Sequence, residues 1–419
     1  MIVHPTQRLV VCMAASRSSP RITVRRIVLW LSGAVAVAAC GSGRAGGALG
    51  TAAPRADVAV PTASAALQAR VQHLTDSVRI AQRWPGLSVA LMTADGHLAA
   101  AASGYADTIT KKPLTTRDRL LQGSVGKTYV AAVAMQLIAE GRLDLEAPIA
   151  RYLGQEPWFD SLPNGRSATV RQIMQHTSGL VRYEFQPAVT ARLRAEPHRE
   201  WTPVERLRAL FGVAAPFAAG TGWEYSDTNY IVLGMIIERL AGRSYYDEVQ
   251  RRVLDPLALH NTIPSNRRAL NGVANGYAGP KNDLGGYDAS IGADGLMAIN
   301  PQFEWTGGGI ASTTSDLARW AKLLYEGKAF PPAMLTPMLT GVPARLGANT
   351  QYGLGVILRT TPLGPSWGHS GFFPGYATEM VYFPELKVSI AVQVNITDPY
   401  PRTLVPLLQL LARSVSASP

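Results

Sequence analysis

Ser124 and Lys127 stand three residues apart at the head of an apolar stretch, Leu120-Leu121-Gln122-Gly123-Ser124-Val125-Gly126-Lys127-Thr128-Tyr129-Val130-Ala131-Ala132. Residues three apart share a helix face, so a loop turning into a helix at Ser124 puts an ammonium beside a hydroxyl. A serine at a helix start ordinarily caps free backbone N–H groups. It becomes a nucleophile only where a neighbouring base takes its proton. A lysine does that only where burial or nearby positive charge lowers its pKa. The dipoles of the helix N-terminus favour the developing negative charge.

Two later stretches carry further groups of this kind. Glu224-Tyr225-Ser226-Asp227-Thr228-Asn229-Tyr230 lies between the turn 216–222 and an apolar helix pattern, and Trp367-Gly368-His369-Ser370-Gly371-Phe372 precedes a late strand. Alone, that tyrosine reads as a core residue and the histidine as a structural one. The ordered set changes the reading: Ser-x-x-Lys, then Tyr-x-(Asn/Asp), then (Lys/His)-(Ser/Thr)-Gly on a strand. Each supplies a different requirement of acyl transfer. Other chemistries find no support. The seven histidines show no H-E-x-x-H spacing, so no metal is expected, and no cofactor fingerprint or phosphate loop is present. Gln122 stands where the G-x-S-x-G elbow of α/β-hydrolases needs its first glycine.

The elements that must position these groups follow from periodicity. Ala65 to about Trp84 has helical spacing, with Leu67, Val71, Leu74, Val78 and Ile80 on the apolar side. Pro85-Gly86 breaks it. Leu87–Met92, the turn Asp95-Gly96 and Leu98–Tyr105 then read as a hairpin. The Ser124 helix runs to near Gly141. Residues 145–300 mix short helices with turns, most clearly Thr169–Gln175 and Tyr230–Leu240, and Thr314–Tyr325 is helical again. Strands return at Gly355–Arg359, Tyr376–Phe383 and Val388–Asn395, before a last helix over Arg402–Ser414. The fold class is therefore α+β: one antiparallel sheet built from both termini and flanked by helices, with the middle inserted as a mainly helical lobe. The cleft between sheet and lobe is the natural site.

A chain of 419 residues can bury a sizeable core. Its formal charge is +11, but five arginines fall within residues 1–39, which hold no acid. The other basic residues are scattered rather than clustered, which argues against nucleic-acid binding. Arg25-Arg26, the apolar run 27–39 and Cys40 read as a signal peptide whose apolar part is too short to span a bilayer comfortably. Val37-Ala38-Ala39-Cys40 resembles a bacterial lipoprotein signal, with Cys40 the lipidated residue; a plain secretory signal is the alternative. The expected organisation is a signal over 1–40, a flexible tether over 41–64 and a catalytic domain over 65–415. The product is an exported, membrane-anchored protein, periplasmic or at the cell surface. With no cysteine pair in the mature chain, stability must come from the core.

Taken together, the three motifs resemble the serine β-lactamase and penicillin-binding-protein superfamily, on the branch of class C β-lactamases, D,D-carboxypeptidases and esterases. The resemblance covers roughly residues 70–415. It includes Glu140-Gly141-Arg142-Leu143-Asp144-Leu145, Gln175-His176-Thr177-Ser178-Gly179-Leu180 and Gly308-Gly309-Ile310-Ala311-Ser312-Thr313. It implies a β-lactamase/transpeptidase-like fold, with Ser124 as nucleophile and Lys127 helping to deprotonate it. Tyr225 would be general base or proton shuttle, and His369 would assist the proton network and touch substrate. Backbone N–H groups of Ser124 and Phe372 would form the oxyanion hole. Asp227, Ser370 and Gly371 would bind substrate, while His176 and Gly179 would be packing residues. The implied substrate is a small ester, peptide or β-lactam-like molecule.

Two departures matter. Asp227 stands where β-lactamases of this branch usually carry Asn, and a carboxylate cannot donate a hydrogen bond to a substrate carbonyl. His369 replaces the frequent lysine, and a neutral imidazole attracts a substrate carboxylate less than an ammonium does. Both favour an esterase-like or D,D-peptidase-like hydrolase over a true β-lactamase. A noncatalytic cell-wall-peptide binder on the same fold would not need Ser124, Lys127, Tyr225 and His369 together.

Overall fold

The computed structural model describes residues 60–281, 285–397 and 401–416. The expected signal peptide, Cys40 and most of the expected tether lie outside them. Among the described residues the strands are β1 (Gly86–Met92), β2 (Leu98–Asp107), β3 (Lys112–Pro113), β4 (Leu120–Leu121), β5 (Thr262–Pro264) and β6 (Ile310–Ser312). They continue as β7 (Val342–Pro343), β8 (Thr350–Tyr352), β9 (Ile357–Thr361), β10 (Gly364–Phe373), β11 (Tyr376–Phe383) and β12 (Val388–Val394). Helices longer than ten residues are α1 (Ala65–Gln82), α2 (Lys127–Ala139), α3 (Asp227–Ala241), α4 (Thr314–Tyr325) and α5 (Leu404–Ser416).

Every residue of β1 is buried, as in β11 and β12. A strand buried along its whole length belongs in a sheet covered on both faces. β1 accordingly sits in the middle of an antiparallel sheet of order β3-β2-β1-β12-β11-β10-β9-β8-β7, joined to β12 in the register Val89↔Val392. The two ends of the chain thus share one sheet. Successive side chains point to opposite faces. Leu87, Val89 and Leu91 pack with Val71 of α1 and with Leu407 and Leu411 of α5, while Ala90 and Met92 join the core of α2, α3 and α4.

The end of the expected tether departs from its reading. Pro61 and Ala63 exchange backbone hydrogen bonds with Leu98, and the Ser64 hydroxyl caps α1 by accepting from the Leu67 amide. Residues 60–64 therefore belong to the folded body. A second sheet, β4-β6-β5, ties Leu121 to Ala311 and so fixes where the Ser124 segment leaves the lobe. No helix among the described residues is long and apolar enough to cross a membrane.

Candidate active site

Ser124 lies in a 3-10 turn, Gly123–Gly126, and α2 begins at Lys127. The serine is one turn earlier than the α-helix proper, and its hydroxyl faces the lysine instead of capping. Gly123 has φ 54°, and a Cβ there would stand 2.4 Å from the Phe372 carbonyl oxygen. Gly371 is as tightly placed: its Cβ would meet the Gln122 carbonyl oxygen at 1.8 Å. Only glycine fits either position. Together they press the end of β10 against the Ser124 turn.

β10 holds the third motif within the strand, not before it. Beyond Gly368 it has no partner on the β9 side. The two-residue turn Pro374-Gly375 makes Phe373 and Tyr376 the bonded pair at the hairpin end. By the antiparallel alternation, Ser370 and Phe372 then direct their N–H and C=O groups away from β11, to the open edge that faces Ser124. The Phe372 N–H is thus available beside the nucleophile.

Lys127 is fully buried, and its ammonium has three partners. It donates to Ser124 Oγ at 2.9 Å and to the Gly307 carbonyl, and it forms a 2.6 Å ion pair with Asp227. Burial pushes this ammonium down, but the charge of Asp227, with Tyr225 behind it, more than offsets that and holds Lys127 above the ordinary lysine range. The expected lowering is not found. The ion pair with Asp227 favours the ammonium form, which donates to Ser124 Oγ.

Asp227 opens α3, and its carboxylate is committed to Lys127, with Arg182 4.0 Å away on the other side. Burial raises this carboxyl, yet Lys127 and Arg182 together bring it down to about 2. Asp227 is the counter-ion of Lys127. Tyr225 stands over the same ammonium, its ring centroid 5.0 Å from Lys127 Nζ. Burial pushes the phenol above its ordinary range, with the Lys127 charge pulling against it. The buried hydroxyl has no well-aligned hydrogen-bond partner among the described residues.

His369 is buried and donates through Nδ1 to the Ser370 carbonyl at 2.6 Å, since a carbonyl can only accept. Its Nε2 then accepts from the Tyr352 hydroxyl at 2.8 Å. Burial, helped by the nearby Lys127 charge, brings this imidazole down to about 3. Both ring nitrogens are thus occupied, while the ring itself lines the cleft. Ser370 Oγ accepts from Arg359 Nη2 at 2.8 Å, and the same guanidinium lies 3.7 Å from the buried Glu379.

Three further residues belong to the site: Arg182 and Tyr352, which no motif indicates, and His176. Arg182 bridges Asp227 and Glu184 and lies over the Tyr225 ring. Tyr352 reaches His369 from β8. His176, expected to be a packing residue, accepts at Nδ1 from the Ser226 amide and lies 4.3 Å from the Tyr225 ring, fixing the second motif. Gly179 makes the turn next to it, with φ 72°. His176 lies within the Gln175–Leu180 stretch and Arg182 two residues after it, and the family signature of that stretch was the available signal. Tyr352 carried none.

Ser124, Tyr225, His369 and Phe372 open into a cleft of about 480 Å³ whose rim holds Arg182, Arg359 and Arg402. A larger groove of about 1080 Å³ beside it shares Arg359 but contains no nucleophile. The family model described as Beta-lactamase matches residues 65–412. The chain belongs to the β-lactamase family. Penicillin-binding protein 4* of Bacillus subtilis is 28% identical over 305 residues, which are 70% of this chain and 64% of that protein. A D-aminopeptidase of Brucella canis is 26% identical over 313 residues, 74% of this chain and 56% of the relative. The chain thus spans less than two thirds of either curated relative. The crystal structure of a D-stereospecific amidohydrolase from Streptomyces sp. superposes with a TM-score of 0.66 at 27% identity, covering 79% of this chain and 94% of that one. This β-lactamase-family fold is the α+β architecture expected from the periodicity and the family resemblance.

Proposed function

We propose that the protein is a serine hydrolase of amides or esters that works through an acyl-enzyme on Ser124. The observation that carries this reading is the buried Lys127 ammonium 2.9 Å from Ser124 Oγ, with Tyr225 over it and the β10 edge beside it. Because Lys127 is already protonated, the Ser124 proton goes to Tyr225. As Oγ bonds to the acyl carbon, the phenol accepts that proton and passes its own to the departing nitrogen or oxygen, so it need not ionise. The bond to the leaving group breaks, and water later reverses the path. The N–H groups of Ser124 and Phe372 receive the carbonyl oxygen as charge builds on it, an effect typically worth about 3 kcal/mol per donor.

Small D-amino-acid amides or peptides are the favoured substrate class, supported by the names of the amidohydrolase and aminopeptidase relatives. The three guanidiniums at the rim favour substrates with an acidic end, as in D,D-peptidase-like cleavage. A neutral His369 and a committed Asp227 weigh against efficient β-lactam turnover. We further propose export and lipid anchoring at Cys40, supported by the run 27–40 alone. Hydrolysis of a short-chain aryl ester and of D-amino-acid amides, wild type beside Ser124→Ala, tests the main reading. Turnover lost in the variant, with an unchanged melting temperature, is expected; turnover retained in it refutes the proposal. Labelled fatty acid incorporated by wild type but not by Cys40→Ala tests the anchor.

A further inference from the structure

The interior of the site contains a group that the three motifs leave unused. Tyr352 is fully buried at the end of β8, on the short outer edge of the sheet. Aromatic rings enclose it: His176 at 4.6 Å, Tyr225 at 6.0 Å and Trp223 at 6.2 Å between centroids. A phenol so placed must find a partner for its O–H, because a buried unpaired hydroxyl is costly. It finds Nε2 of His369 at 2.8 Å.

The bond has a consequence for the ring. An imidazole that accepts at Nε2 and donates at Nδ1 is neutral and held in one tautomer. Its Nδ1–H goes to the Ser370 carbonyl. That carbonyl lies on the open edge of β10, on the same side as the Phe372 N–H two residues on, because alternate residues of a strand direct their backbone groups alike. A carbonyl left bare there would face the same developing oxyanion as the Phe372 donor and repel it. His369 takes it up.

We infer that Tyr352 is a positioning residue for the oxyanion hole, acting through the tautomer and orientation of His369 on the backbone of Ser370 to Phe372. The inference rests on the hydrolase reading for its kinetic consequence, but the tautomer itself does not depend on turnover. The other charged and titratable groups facing His369 are Lys127 and Asp227 from α2 and α3, Arg359 from β9, Tyr225 and His176. The two cations oppose a second proton on the ring. Tyr352 removes the lone pair that would take one.

The direct test is the imidazole nitrogen spectrum of His369 in the wild-type protein, assigned with His369→Gln, between pH 5 and pH 9. Protonated Nδ1, bare and hydrogen-bonded Nε2, and no titration across the range are expected. An Nε2–H tautomer, or titration near the ordinary histidine range, overturns the inference whether or not any substrate has been found. Tyr352→Phe provides the kinetic arm. Losing one oriented hydrogen bond should lower kcat by about tenfold with KM changed less than about threefold, and shift the His369 Nε2 resonance. A variant with lowered melting temperature but unchanged kcat and an unchanged resonance shows packing only, and refutes it. If Tyr352→Phe does not fold, the wild-type spectrum still decides.

Discussion

Asp227→Asn isolates the charge that keeps Lys127 protonated. The two side chains meet at 2.6 Å and are 0% and 13% exposed, so water cannot replace the lost partner. Breaking a buried pair by removing one member costs about 3–5 kcal/mol. The amide keeps the volume, and the Gly307 carbonyl and Ser124 hydroxyl still accept from Lys127, so the lower end, about 3 kcal/mol, applies here. The pH dependence follows from the same pair. The Asp227 carboxyl is held at about 2 against an ordinary 3.8, with burial raising it and Lys127 and Arg182 prevailing. A depressed carboxyl adds stability that is present above its unfolded pKa and is lost as pH falls through its folded one. That term amounts to about 2 kcal/mol between neutral pH and pH 2. Denaturant unfolding of wild type and Asp227→Asn at pH 7 and at pH 2.5 measures both quantities. The variant should be less stable by about 3 kcal/mol at pH 7, and the gap should narrow to about half that at pH 2.5. An equal gap at both pH values, or none at pH 7, refutes the counter-ion assignment.

Three other perturbations have defined outcomes. Phe372→Pro deletes an N–H that points away from β11, so the hairpin should survive while kcat falls by about a hundredfold; Phe372→Ala keeps the N–H and should lose less than about tenfold. Gly123→Ala puts a Cβ 2.4 Å from a carbonyl oxygen at φ 54°, and should cost more than about 2 kcal/mol in thermal unfolding and most of the activity. Glu304 is buried behind Lys127, where burial raises its carboxyl to about 8. A raised carboxyl makes the native state less stable as pH climbs from its unfolded value toward 8. Glu304→Gln should therefore raise the melting temperature at pH 8 and leave it nearly unchanged at pH 4.5, and an equal effect at both would rule that out.

What local chemistry determined is visible in the chain. Ser124 and Lys127 meet because three residues nearly complete a helical turn, a geometry that needs no distant contact. The mostly apolar runs of β1, β11 and β12 announce strands, and the Pro85-Gly86 break and Asp95-Gly96 turn mark the limits of β1. Helix ends strayed by two or three residues, since frayed turns carry little signal. Only the tertiary structure decided who neighbours whom. The short strands β4 to β8 have too few residues for any period to show, so β8, which carries Tyr352, was invisible. The electrostatics of Lys127 are decided by folding for a related reason: its burial follows from an apolar helix, but the direction of its shift depends on Asp227, one hundred residues away in sequence and 2.6 Å away in space. A pKa is set by every charge within a few ångströms, and spacing along the chain says nothing about those that arrive by folding.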